Sequence, residues 1–266
     1  MTASCSTSVS KAPSIKLISP ASSQYSDILS EFPELTRPPG LPREVKHSTL
    51  HYIQTTDLPP VVSRPRRMRP ELLKVAKAEF DDMIREGTAR PSNSPWSSPL
   101  HLAPKKKSAT SKPSKRTRIQ GPVRPCGDYR RVNARTIPDK YPVRHIADYS
   151  NDLSGCSIFS VIDLVKAFQQ IPVNPADISK TAIVTPFGLF EFPYMSFGLR
   201  NAAQTFQRFI DELLRGLDFC FAYIDDILCS RAHLRNTKNT FAPCSRGSPS
   251  MAWLSIKPSA SSAKLK

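Results

Sequence analysis

Glycine and long apolar runs are scarce in this sequence. Only 9 of the 266 residues are glycine, against 26 prolines, most of which precede Cys126. Proline fixes the backbone and lacks an amide donor, so we expect extended segments and turns in the first half and most of the core in the second. No stretch approaches the ~18 apolar residues of a membrane span, and the Ser/Thr-rich start lacks an apolar signal segment. These absences predict a soluble, intracellular protein, cytoplasmic or nuclear, with no membrane partner.

Cysteine patterns typical of metal sites or disulfide frameworks are absent as well. The six cysteines include no CxxC pair accompanied by histidines at metal-ligand spacing. A zinc site and a disulfide framework are therefore not expected. We interpret the histidines as surface or linker residues without a role; they are His47, His51, His101, His145 and His233.

Acidic residues are missing from two stretches of the chain. The formal net charge is +16, but residues 105–118 and residues 227–266 each carry seven Lys/Arg and no acid. Subtracting these 14 charges from 16 leaves the remaining sequence at about +2. A positive total is typical of a nucleic-acid partner, yet a charge concentrated in two segments also fits a solvated loop and a solvated tail. Nucleic-acid binding must therefore be inferred from a site.

Apolar periodicity predicts both helices and strands. Residues at helical spacing, with proline at the start and Gly87 after the end, predict a helix over 70–85. A second apolar face predicts a helix over 202–215. Strands are expected at 157–164, 181–185 and 189–192, and in both halves of 219–230.

The same patterns divide the chain into three parts. Residues 1–60 are expected to form a disordered or extended arm, because they are rich first in Ser/Thr and then in proline. Residues 61–231 are expected to fold, with a loop insertion at about 107–123. Residues 232–266 lack acids and apolar periodicity, which predicts a disordered tail.

Three aspartates form the chemically distinctive group. Asp225 and Asp226 lie between two apolar strand-like halves, and Asp163 ends another apolar strand. Carboxylates beside apolar strands are costly unless a cation neutralises them. If the strands are neighbours, Asp163 and Asp225 could bridge two Mg²⁺ ions about 4 Å apart, the arrangement used for phosphoryl transfer. The alternative is a hairpin turn that merely favours aspartate.

Four segments in this order resemble the reverse transcriptases of gypsy-type LTR retrotransposons: SIFSVIDLVKAFQQ, KTAIVTPFGLFEFPYMSF, GLRNAAQTFQR and FCFAYIDDIL. The resemblance extends over about residues 28–231 and includes RPCGDYRRVNARTIPDKYP upstream. It implies an α+β fold, with the fingers and an antiparallel palm sheet of a right-hand polymerase. It also implies RNA-directed DNA synthesis from dNTPs on a primed RNA or DNA template, with Mg²⁺, or Mn²⁺ in its place. It gives no indication of the oligomeric state.

The resemblance assigns roles to individual residues. Asp163 and Asp225 correspond to metal ligands, with Asp226 as the supporting carboxylate. Phe168 corresponds to an aromatic gate against the ribose 2′-hydroxyl, although core packing on a short helix is an equal interpretation without the family. The nucleotide and nucleic-acid contacts fall on a larger set: Arg124 with Lys105 or Lys106 at the triphosphate, Phe197 and Gly198 in the dNTP pocket, and Tyr223, Arg200 and Asn201 near primer and template.

Two features depart from the family pattern. Residues 107–123 are inserted where the fingers hairpin turns, which puts the pairing of Lys106 with Arg124 in question. After Arg231 the expected thumb, RNase H and integrase patterns are missing, and we hypothesise that a frameshift or misread exon produced the tail. The coding DNA in the other two frames tests this idea, since no family-like continuation in any frame would contradict it. The rival interpretation is a degenerate, non-catalytic remnant that at most binds nucleic acid.

Overall fold

A computed structural model describes the chain at residues 15–18, 45, 47–104, 123–145, 148, 153, 156, 158–164, 166–223, 226–231 and 261–265. The description covers the backbone alone at 15–18, 104, 158–163, 223, 226, 231 and 261–265. No helix in these ranges is long and apolar enough to cross a membrane.

Three α-helices lie in the described ranges: α1 (Pro70–Arg85), α2 (Arg130–Arg135) and α3 (Ala202–Leu213). Helix α1 has the predicted bounds, with Pro70 in its first turn, where the missing amide donor costs nothing. The chain leaves it through Gly87 at a φ of 69°, a conformation that favours glycine. Helix α3 ends two residues earlier than predicted, and the chain turns at Gly216 with a φ of 84°.

Ten strands form two five-stranded sheets. Their bounds are β1 (Ile15–Ile18), β2 (Arg90–Pro91), β3 (Ser98–Pro104), β4 (Val123–Gly127), β5 (Ile158–Asp163), β6 (Ile183–Thr185), β7 (Gly188–Glu191), β8 (Cys220–Tyr223), β9 (Asp226–Arg231) and β10 (Ser261–Leu265). Two 3-10 helices, Ala167–Gln170 and Pro175–Thr181, lie between β5 and β6. The second explains why β6 starts two residues later than predicted.

The first sheet is antiparallel, in the order β1-β10-β5-β9-β8. Strands β5, β9 and β8 are the ones that carry the aspartate segments, and β5 pairs with β9 over its whole length. This sheet corresponds to the expected palm sheet. Strands β1 and β10 lie within the two terminal segments for which the sequence predicts disorder; most of those segments lies outside the described residues.

The second sheet is mixed, in the order β2-β7-β6-β3-β4. Strands β6 and β7 form the predicted hairpin, and β3 and β4 form another, on either side of the insertion. The central β3–β6 pair is parallel, which joins the segment before the insertion to the hairpin that follows β5. The insertion itself, apart from Val123 at the start of β4, lies outside the described residues.

The core runs between the two sheets and the helices. Phe80 of α1 is fully buried and contacts Phe190 of β7 and Phe192, with ring centroids 4.9 and 6.2 Å apart. Phe206 and Ile210 on the inner face of α3 are equally buried. Burying side chains of this size is the main stabilising contribution to such a fold.

The predicted boundary at residue 61 is wrong, because residues before it pack into the core. Ile53 is 1% exposed, and the chain around it bridges to Val173 and Thr136. The interpretation of His51 as a surface residue is also wrong. Its ring is 1% exposed and Nδ1 lies 2.9 Å from the Thr205 hydroxyl of α3. His47 packs there as well, since its ring lies 4.6 Å from that of Phe209.

Candidate active site

The pairing of β5 with β9 brings two of the three aspartates to adjacent backbone positions. Asp163, the last residue of β5, is the direct Cα partner of Asp226, the first residue of β9. Asp226 also pairs with Tyr223, the last residue of β8. Asp225 lies outside the described residues, but it immediately precedes Asp226 in the chain. The sheet register therefore brings Asp163 and Asp226 together at one end of three neighbouring strands.

These positions fit a divalent metal ion. Residues directly opposite each other in an antiparallel pair lie about 4.5–5.5 Å apart, and like charges there are unfavourable without a compensating cation. Carboxylate oxygens are the ligands that Mg²⁺ and Mn²⁺ prefer. No cluster of three metal-binding side chains occurs among the side chains that the structure describes, a set that leaves out those of the aspartates.

Phe168, which follows β5 in the chain, belongs to an aromatic pair. Phe168, in the first 3-10 helix, is 6% exposed and its ring packs 5.4 Å from that of Phe206. Its other neighbour is Phe197, at 4.7 Å in an edge-to-face arrangement, and this ring is 48% exposed. The structure thus brings together two of the predicted pocket residues, and it also places Phe168 in the core. Both interpretations of Phe168 remain compatible with its position.

Gly198 gives the loop after Phe197 its shape. Its φ of 88° lies in the left-handed region, where a side chain is unfavourable. A Cβ there would meet the ring of Tyr129 at 3.7 Å and the Gly127 carbonyl at 3.8 Å, which is ordinary contact. Glycine is therefore required by the backbone conformation and not by a lack of space.

Tyr129 packs beside this loop, and the sequence analysis did not predict this role. It is 2% exposed, and its hydroxyl donates to the Thr181 carbonyl at 2.9 Å. Burial raises the pKa of Tyr129 above its ordinary value, so the phenol keeps its proton. At Gly127 a Cβ would come within 2.5 Å of the Tyr129 ring, so the residue that ends β4 must also be small.

Asn133 joins α2 to the Phe197–Arg200 loop through side-chain hydrogen bonds. Its side-chain amide donates to the Gly198 carbonyl at 2.7 Å, and its Oδ1 accepts from the Arg200 amide at 3.0 Å. The Arg200 guanidinium donates to the main-chain carbonyls of Asn133 and Thr136 at 3.0 and 3.3 Å. Side chains of both α2 and the loop therefore contribute hydrogen bonds between the two elements.

Asn201 makes contacts within the chain, and its expected contact with nucleic acid stays a prediction. Asn201 is 8% exposed; its amide donates to the Ile137 carbonyl at 2.8 Å, and its Oδ1 accepts from the Asp139 amide at 3.0 Å. Both polar atoms of the side chain are used within the chain. Asn201 and Arg200 thus hold the segment after α2 in place, which sequence periodicity cannot reveal.

The fingers cations are only partly described. Arg124 is exposed on β4 and pairs with Ala103 of β3, next to the Pro104–Val123 pair that ends the hairpin. Lys105 and Lys106 follow Pro104 directly and lie outside the described residues. The register shows that the insertion leaves Arg124 beside the strand from which the two lysines continue.

A basic surface beside α2 was missed in the sequence, although four arginines in residues 64–69 signal it. This arginine segment comprises Arg64, Arg66, Arg67 and Arg69, all exposed. Residues 59–66, which include the start of this segment, lie along α2. Arg131 donates to the Val62 carbonyl at 2.7 Å, Arg135 donates to the Pro59 carbonyl, and Arg66 pairs with Asp128 at 2.6 Å.

Asp128 is the acid within this basic surface. Arg130 and Arg66 both bond to it, and the Arg130 guanidinium contributes most to holding the pKa of its carboxyl well below the usual range. Arg64, Arg67 and Arg69 have no ion pair among the described residues. The surface therefore retains a net positive charge that suits phosphate.

Similarity to known proteins agrees with this geometry. Residues 104–246, more than half of the chain, match the family described as reverse transcriptase (RNA-dependent DNA polymerase), and this range extends past Arg231. The chain is 36% identical over 207 residues to the retrovirus-related Pol polyprotein from transposon opus of Drosophila melanogaster, covering 76% of this chain and 19% of that protein. It is 34% identical over 179 residues to that from transposon gypsy of the same species, covering 66% and 16%.

The fold is similar to that of a solved foamy viral protease-reverse transcriptase in complex with an RNA/DNA hybrid. The TM-score is 0.73 at 17% identity, over 88% of this chain and 30% of that chain. The predicted resemblance and the α+β polymerase fold are confirmed. The chain spans less than a fifth of the length of the two curated relatives.

Proposed function

The chain belongs to the reverse transcriptase family, and from this premise we propose that it carries the nucleotidyl-transfer centre for RNA-directed DNA synthesis. Its substrates are dNTPs and a primer on an RNA or DNA template. The observation that supports this most is the register of β5 and β9, which sets Asp163 opposite Asp226 beside Asp225. Its site of action is intracellular, cytoplasmic or nuclear, where these substrates are found.

Asp163 and Asp225 would hold the divalent cations, Mg²⁺ or Mn²⁺ in its place, with Asp226 as the supporting carboxylate. Bound there, such ions supply an activated primer 3′-hydroxyl and neutralise the charge of the triphosphate and the leaving pyrophosphate. The chain's own contribution is to fix Asp163 and Asp226 at the ends of paired strands, because sheet pairing holds their spacing more rigidly than a loop does.

The dNTP pocket is formed by the Phe168–Phe197 pair and Gly198. Phe168 blocks the space that a ribose 2′-hydroxyl needs, while its contact with Phe206 fixes the ring. Arg124, with Lys105 or Lys106, contacts the triphosphate through charge-assisted hydrogen bonds. The Phe168→Val variant should incorporate rNTPs more readily relative to dNTPs, measured as the ratio of the two kcat/KM values. Equal discrimination by the variant and the parent would leave core packing as the role of Phe168.

The template path follows α2. Arg200 and Asn201 position the loop beside the reacting base pair, and Tyr223 packs near the primer end. The surface continues from this loop along α2 to the arginine segment, because Asn133 joins α2 to Gly198 at one side and Arg131 joins it to Val62 at the other. Single-stranded template ahead of the primer would place its phosphates on this surface.

Primer extension with purified chain, Mg²⁺ or Mn²⁺ and an RNA template tests the proposed activity. The Asp225→Asn variant should abolish incorporation, because it removes a proposed metal ligand while keeping the shape of the side chain. Asp218→Asn is a matched control, since Asp218 is exposed and directly precedes the same hairpin. Incorporation that survives Asp225→Asn would refute the assignment, and no incorporation from folded parent would support the degenerate, non-catalytic alternative.

The salt dependence of primer-template binding tests the template path. Removing the two cations of Arg64 and Arg67 should weaken binding equally for all sequences and reduce the slope of log affinity against log salt by about 2. Arg85→Ala is the control, because Arg85 is an equally exposed arginine on α1 that pairs with Asp82 at 2.9 Å. An unchanged slope in the Arg64/Arg67 double variant would place the template elsewhere.

A further inference from the structure

Two cysteines face each other across the hairpin that carries the aspartates. Cys220 of β8 and Cys229 of β9 are direct Cα partners. Their side chains are 7% and 5% exposed, and their Sγ atoms lie 2.9 Å apart. A disulfide bond is about 2.05 Å long, so the two sulfurs need to approach by less than about 1 Å to bond.

The register of the hairpin also suits a bond between the two strands. The Ser230 amide donates to the Phe219 carbonyl at 2.8 Å, which makes Phe219–Ser230 a hydrogen-bonded pair. Since the two kinds of pair alternate, the neighbouring Cys220–Cys229 pair is non-hydrogen-bonded, and the Cys220 amide indeed bonds to Leu217 instead. Cα atoms in such pairs are about 4.5 Å apart, within the range that disulfides span.

We propose that Cys220 and Cys229 form an oxidation site that closes to an intramolecular disulfide across the β8–β9 hairpin, with a peroxide as oxidant. One thiol loses its proton and attacks a peroxide oxygen, the O–O bond breaks, and the leaving hydroxide takes up that proton, so that a sulfenic acid and one water result. The second thiol attacks the sulfenic sulfur, so the S–S bond forms as the S–O bond breaks and a second water leaves. The two sulfurs lose two electrons in total, and hydrogen peroxide gains them.

The position of β8 provides access for a small oxidant. In the described sheet β8 is an edge strand, paired on one side with β9. Edge strands open more readily than central ones, because fewer hydrogen bonds hold them. Local opening of β8 exposes both sulfurs at once, and reclosing returns them to contact.

Cys156, a third cysteine described near this hairpin, lies on the other side of the sheet. The Cys156 thiol donates to the Ser230 hydroxyl at 3.5 Å. Successive residues of a strand point to opposite faces, so Cys156 lies on the face of Ser230 and not on that of Cys229. Closing the bond would join β8 to β9, the strand that begins at Asp226, and would fix their register.

Peptide mass spectrometry of the full chain tests the proposal. No lysine or arginine occurs between Arg215 and Arg231, so one tryptic peptide, 216–231, holds both cysteines and no other. Folded protein is treated with hydrogen peroxide, quenched, denatured, alkylated and digested. We expect this peptide to lose both alkylation sites and become two hydrogens lighter, and to regain both sites after dithiothreitol. Cys126 and Cys156, on separate peptides, report general oxidation.

Three outcomes would overturn the proposal. These are a 216–231 peptide that stays doubly alkylated while Cys126 is oxidised, a peptide that carries irreversible sulfinic acid, and a cross-link to the Cys156 peptide. The Cys220→Ser variant is the matched control, because its single remaining thiol cannot give the closed peptide. The readout is chemical, so it does not depend on whether the chain is an active polymerase.

Discussion

His51 makes the stability of the fold depend on pH. Burial lowers the pKa of His51 from 6.5 to about 4, although Asp177 and Asp139 act in the opposite direction. Between about pH 6.5 and about pH 4 the unfolded chain therefore binds a proton at His51 that the folded chain does not. The contribution of neutral His51 to the free energy of unfolding is fully present above about pH 6.5 and is lost as the pH falls to about 4.

The size of the effect follows from this shift. A difference of one pKa unit corresponds to about 1.4 kcal/mol, so the full shift is worth about 3 kcal/mol at low pH and about 2 kcal/mol at pH 5. Since His51 is 1% exposed, solvent screening does not reduce this value appreciably. A loss of about 2 kcal/mol lowers the ratio of folded to unfolded protein by roughly 30-fold.

Urea unfolding between pH 7 and pH 4.5 measures the effect. Carboxylates titrate in the same range, so the quantity of interest is the difference in free energy of unfolding between the parent and His51→Asn. That difference should change by about 2 kcal/mol from pH 7 to pH 5. The His101→Asn variant, at an exposed position, controls for the substitution itself. A constant difference for His51→Asn would show that His51 protonates as readily in the folded chain as in the unfolded one.

Three further substitutions test the support of the Phe197–Arg200 loop. Asn133→Ala removes the hydrogen bonds to Gly198 and Arg200, so unfolding should become easier by about 1–3 kcal/mol, with a higher KM for dNTP in primer extension. Tyr129→Phe leaves the buried Thr181 carbonyl without its donor and should cost about 1–3 kcal/mol in denaturant unfolding. Gly198→Ala should cost about 1–2 kcal/mol because of its positive φ. A variant that is as stable as the parent would show that the hydrogen bond it removes, or the backbone strain that it introduces at Gly198, does not contribute to stability.

Sequence patterns predicted the helices and hairpins whose formation depends on residues close together in the chain. The apolar spacing and terminal proline of α1 define it to the residue, and the turn residues between β6 and β7 predict their hairpin. The antiparallel palm sheet and the pairing of Asp163 with Asp226 follow from two apolar strands that share one sheet. Here the resemblance adds the expectation that the strands are neighbours, which periodicity does not contain.

Non-local contacts are what the sequence could not predict. The parallel β3–β6 pair joins segments separated by the insertion, and no turn signal connects them. His51 carries no mark of burial, because its position depends on where an extended segment crosses α3. In the sequence Asn201 looks like a surface amide near the proposed dNTP pocket, but the segment after α2 folds back and occupies both of its polar atoms.

Binding of Mn²⁺ to the purified chain, followed by its electron paramagnetic resonance, tests most directly whether the β5–β9 register creates a metal site. The account predicts that Asp163→Asn and Asp225→Asn each weaken Mn²⁺ binding at least tenfold, that Asp218→Asn does not, and that Mg²⁺ competes for the same site. Equal Mn²⁺ affinity in the parent and in the Asp163→Asn and Asp225→Asn variants would contradict it.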